Sequence, residues 1–84
     1  MDKAKFLEPC EKAFAIHQAS PYGDMWEKMS YYELASIASY KARRATLLQP
    51  YDAKIEDDIL DAINFLVFSY QQCMRRQTSD RQTE

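Results

Sequence analysis

Apolar residues recur at three- and four-residue steps from Ile55 onward: Ile59, Ile63, Leu66 and Tyr70 follow, with Leu60, Val67 and Met74 beside them. That is the period of an amphipathic helix, and such a stripe is expected to be buried. At about 100° per residue, Asp57, Asp61, Asn64 and Phe68 share a second face of the same helix, with Asp58 and Phe65 at its edge. Carboxylates beside an amide, running into aromatics, mark that face as a candidate site. Upstream, Leu34, Ile37, Ala38, Ala45 and Leu48 predict a helix from about 31 to 48, opened by the capping-box spacing of Ser30 and Glu33. The same stripe carries Lys41 and Arg44. Phe6, Leu7, Cys10, Phe14 and Ile16 predict a first helix over 3–18, in which Pro9 should stand near the first turn or at a kink, the true start then being Pro9 itself.

The punctuation between these runs is equally informative. Ser20-Pro21-Tyr22-Gly23 is a break, and Gly23, the single glycine, points to a backbone angle that other residues resist or to a close approach. Asp24 and Glu27 have capping-box spacing for a short helix through Met29. Gln49-Pro50-Tyr51-Asp52 closes the second helix, Asp52 is the expected N-cap of the third, and Glu56, Asp57 and Asp58 suit its positive first turn. Beyond Arg76 the residues are polar and without period, so a single domain over 1–77 and a flexible tail over 78–84 are expected. No strand pattern or internal repeat occurs. The expected fold is all-α: a three-helix domain built on an antiparallel helical hairpin.

Composition changes this picture in two ways. A chain of 84 residues buries only a small core, yet 46% of it is hydrophobic and 13% aromatic, so a homo-oligomer is expected to cover the surplus. A net charge of −2 and a pI near 5.3 argue against general nucleic-acid binding or an anionic membrane surface, which leaves any phosphate binding local. Cys10 and Cys73 have neither framework nor metal spacing, and no apolar run approaches the ~20 residues of a membrane span. A soluble cytoplasmic chain with two reduced thiols is expected.

Two cations on the core stripe of one helix and acids on the next invite each other across a hairpin. Lys41 and Arg44 need partners if buried, and Asp57, Asp58 or Asp61 can supply them as an internal network. The same residues can instead, or as well, hold a phosphorylated ligand, with Lys and Arg on phosphate and acids accepting from ribose and base or carrying Mg²⁺. Tyr22, Trp26, Tyr31 and Tyr32 either roof the core or stack a base beside that site. The candidate ligand-binding residues are therefore Tyr22, Gly23, Trp26, Lys41, Arg44, Asp57, Asp61 and Asn64, and the acids that could hold a metal are Asp58 and Asp61. No cofactor is called for beyond that optional Mg²⁺. No nucleophile–base pair, phosphate loop or zinc spacing is present, and no catalytic residue is assigned.

The order Tyr22-Gly23-Asp24-Met25-Trp26, then Lys41-x-x-Arg44 with Leu47-Leu48, then Glu56-Asp57-Asp58-Ile59-Leu60-Asp61-Ala62-Ile63-Asn64-Phe65, resembles the phage-borne nucleotide-modification-associated domain family, over roughly residues 12–72. That family is similar in turn to the all-α nucleoside-triphosphate pyrophosphohydrolases of the MazG and dimeric dUTPase type. The resemblance implies a MazG-like helical oligomer that binds nucleotide. Such hydrolases hold Mg²⁺ between an E-x-x-E on one helix and an E-x-x-D on the next. Here Asp58-x-x-Asp61 can stand for the second pair, but Lys41 and Arg44 replace the first. The resemblance then implies nucleotide binding without turnover, such as sequestering an immune nucleotide second messenger in a phage-infected cell. The alternatives are a MazG-like Mg²⁺-dependent pyrophosphohydrolase and a protein–protein inhibitor of a host or immune protein.

Overall fold

The computed structural model describes the backbone of residues 1–82 and the side chains of residues 1–76. Three helices, α1 (Lys3–Ala19), α2 (Tyr31–Leu47) and α3 (Lys54–Gln82), are joined by a turn with a 3₁₀ segment at Met25–Lys28 and by the short loop before Lys54, with no strand among the described residues. No helix among them is long and apolar enough to cross a membrane. The tail expected over 78–84 begins inside α3, and its side chains and last two residues lie outside the described residues.

The capping chemistry sets most of the boundaries. Ser30 Oγ accepts from the Glu33 amide at 3.3 Å, and Asp52 Oδ1 accepts from the Lys54 amide at 2.9 Å. Asp2 accepts from the Lys5 amide at 2.8 Å and starts α1 at Lys3, six residues ahead of Pro9. Pro9 therefore stands inside the helix, neither at its start nor ending it. The carbonyl left without its partner belongs to Lys5, which faces solvent, so water can satisfy it. Asp24 does not cap the 3₁₀ segment. Its carboxylate accepts instead from Trp26 Nε1 at 3.3 Å and lies 3.5 Å from His17 Nε2.

α2 and α3 form an antiparallel hairpin, the largest interface in the molecule, and α1 packs in the same direction as α3 on its other flank. The buried apolar residues among those described are Ala13, Leu34, Ala38, Leu60 and Ala62. Three of the five are alanines, so the helices approach closely around a thin core. The expectation for α3 holds at Leu60, which is buried, and at Ile55, Ile63 and Met74, which are half-buried, but is overturned elsewhere on the stripe. Ile59, Leu66, Val67 and Tyr70 are 48–61% exposed, whereas Asp58, Ala62 and Ser69 face α2 and are buried. The rotation follows from hydrogen bonding: Asp58 meets Arg44, Asp61 meets Lys41, and Ser69 Oγ donates to the Tyr31 carbonyl at 2.7 Å. Turning the isoleucines inward would strand those polar groups without partners.

Candidate functional site

The hairpin carries a trough on the side away from the isoleucines. At one end, Tyr22, Gly23, Met25, Trp26, Met29, Ile37, Phe65 and Phe68 enclose an apolar recess of about 250 Å³. At the other, Arg44, Leu48, Lys54, Asp57, Asp58 and Asp61 line a polar recess of about 330 Å³. Lys41 and Asp61, 3.3 Å apart, stand between them, one helical turn from Ile37 and Phe65. Each recess is near the lower end of small-molecule pocket sizes.

The aromatic end is built by the 22–26 turn and pinned by α3. Gly23 has a φ of +54°, and a Cβ there would meet nothing within 4 Å, so the backbone angle rather than space demands glycine. The Met25 amide donates to the Tyr22 carbonyl at 3.2 Å and closes the turn. Trp26 then stacks on Phe68, with ring centroids 5.0 Å apart and planes within 7°, and Arg75 lies over the indole at 5.1 Å. Gln72 Nε2 shares its two protons among the carbonyls of Trp26, Glu27 and Met29 at 2.8–3.3 Å. His17 meets the edge of Phe68 at 4.8 Å, so α1 holds the same aromatic cluster from behind. Tyr22 remains 72% exposed at the mouth.

At the polar end, Asp58 is fully buried and Arg44 grips both its oxygens, with Nε 2.9 Å from Oδ2 and 3.2 Å from Oδ1. Those hydrogen bonds hold the Asp58 carboxyl below its usual range against the opposing effect of burial, and the charges of Arg44, Lys41 and Lys54 add to the shift. The same bond raises the pKa of Arg44 further above its ordinary value, so its charge is permanent. Arg44 also lies over the Tyr40 ring at 5.9 Å. The internal network expected for the two cations is thus present, yet Arg44, which lines the polar recess, remains 41% exposed at the side chain and Lys41 23%. Among the described residues, no buried side-chain polar atom lacks a partner.

Seven of the eight expected ligand-binding residues, Tyr22, Gly23, Trp26, Lys41, Arg44, Asp57 and Asp61, line this trough or bridge its two ends. Asn64 does not. Its Nδ2 donates to the Ala13 carbonyl at 2.7 Å, and it belongs to the seam between α1 and α3. Nor do Asp58 and Asp61 fit Mg²⁺: both oxygens of Asp58 are occupied by Arg44, Asp61 faces Lys41, and no three acidic, histidine or cysteine side chains gather for a metal among the described residues. Sequence reasoning left Lys54, Gln72 and Arg75 out of the site. Extending the face of Asp57, Asp61 and Phe68 by further turns reaches Gln72 and Arg75, which is the signal that could have found them.

No family model, curated protein or solved structure compared with the chain matches it.

Proposed function

We propose that the protein binds a phosphorylated, base-bearing ligand of nucleotide type in this trough without hydrolysing it. The observation that carries the reading is the adjacency of an aromatic recess, a largely buried Lys41 and a polar recess edged by Arg44 and Lys54. A planar base has Phe65, Met25 and the exposed Tyr22 to lie against, and a phosphate at Lys41 would compete with Asp61 for its protons. The resemblance to phage nucleotide-modification-associated domains extends the proposal to a MazG-like homo-oligomer in the cytoplasm of an infected bacterium that sequesters an immune nucleotide messenger. Hydrolysis is the weaker reading, because a phosphoanhydride attack assisted by Mg²⁺ needs carboxylates turned toward the metal, and Asp58 is turned toward Arg44.

Mass spectrometry of small molecules released on heat denaturation, followed by calorimetric titration with linear and cyclic nucleotides, tests the reading. Saturable binding without Mg²⁺-dependent pyrophosphate release is expected. Pyrophosphate release abolished by Asp61→Ala would establish the hydrolase instead. Absence of binding to every nucleotide would leave inhibition of a host protein, for which the exposed stripe of α3 is the supporting feature.

A further inference from the structure

We infer that the isoleucine face of α3 is the contact surface for a second copy of this chain, paired antiparallel about a twofold axis between residues 64 and 65. The protomer leaves too much surface uncovered for its size. It exposes 6784 Å², where a compact monomer of 9.9 kDa is expected to expose about 5,200 Å². Even half of that excess matches the roughly 800 Å² that one partner contributes to a standard interface.

The stripe itself specifies the occupant. Ile55, Ile59, Ile63, Leu66, Tyr70 and Met74 are separated by four, four, three, four and four residues, a spacing that reads the same in both directions. A copy laid antiparallel therefore sets Ile55 against Met74, Ile59 against Tyr70 and Ile63 against Leu66, each pair occurring twice, as an isologous interface requires. A parallel copy would set like ends together. The antiparallel one also opposes the two helix dipoles. An unrelated partner has no reason to demand a palindromic stripe. The trough lies on another side of the hairpin, so this inference does not depend on its ligand and both troughs stay open.

Light scattering on the full chain at micromolar concentration should give twice the 9.9 kDa chain mass. Ile63→Glu alone and Leu66→Lys alone should each give the single-chain mass, and mixing the two should restore a heterodimer, because the register sets the new glutamate against the new lysine. The mixture also covers the case in which either variant is unfolded by circular dichroism alone, since helicity would return on mixing. A wild type of single-chain mass overturns the proposal and leaves the face to a different protein. Dimers that survive either single change, or a mixture that fails to pair, overturn the surface and its register.

Discussion

The two long sides of the α2–α3 hairpin solve opposite problems. On the trough side three cations have an answering carboxylate within the chain: Arg44 with Asp58, Lys41 with Asp61, and Arg75 with Glu27 at 3.4 Å. On the isoleucine side the apolar groups have no such answer, and Ile59, Leu66 and Tyr70 stay about half exposed or more. A buried carboxylate without its guanidinium is far more costly than an exposed isoleucine, since an unpaired buried ion loses several kcal/mol whereas full burial of an isoleucine gains only ~1.5–3. Ion pairing therefore decides which way α3 turns, and the apolar surplus is left to association.

The largest effect should follow from breaking that pairing. Arg44→Ala strands a fully buried Asp58 and is expected to lower the melting temperature by more than ~10 °C, whereas Arg44→Met with Asp58→Leu should recover most of the loss. Thermal melts decide it, and an apo Arg44→Ala protein as stable as wild type would show that the pair contributes nothing to the fold.

Acid should reproduce the same loss gradually. Because the folded pKa of Asp58 lies below its unfolded value of about 3.9, its contribution is fully present above that pH and disappears as pH falls through the folded value. Denaturant melts between about pH 5 and pH 2 should show this slope in wild type, and Asp58→Asn should flatten it.

A smaller effect is expected at the aromatic end. Gln72→Ala removes the amide that serves three carbonyls and should cost about 1–3 kcal/mol. Amide hydrogen exchange should rise around residues 23–29 more than in α2. Uniform exchange across the chain would mean that the turn holds itself without α3.

Much of this fold was legible in the residues. Ser30 and Asp52 announced two of the helix starts, the hairpin followed from the short loop between α2 and α3, and the need of Lys41 and Arg44 for α3 carboxylates followed from their place on an apolar stripe. The rotation of α3 was not legible, because periodicity ranks isoleucine above aspartate for burial and carries no term for a partner fourteen residues away. Pro9 misled for a related reason: its local cost was visible, but the cap at Asp2 that starts α1 earlier outweighed it. Asn64 shared the face of Asp57 and Asp61, yet the approach of α1, a contact of long sequence separation, took its amide.

The central claim, that the trough is a ligand site and not only a charge-neutralising seam, is most directly tested through Trp26, the only tryptophan, stacked at its aromatic end. Intrinsic fluorescence should change saturably as linear or cyclic nucleotides are added, and Lys41→Met should weaken that response roughly 10- to 100-fold, the equivalent of a charged hydrogen bond of ~1.5–3 kcal/mol. Fluorescence that no nucleotide alters, or a response that Lys41→Met leaves unchanged, would contradict it.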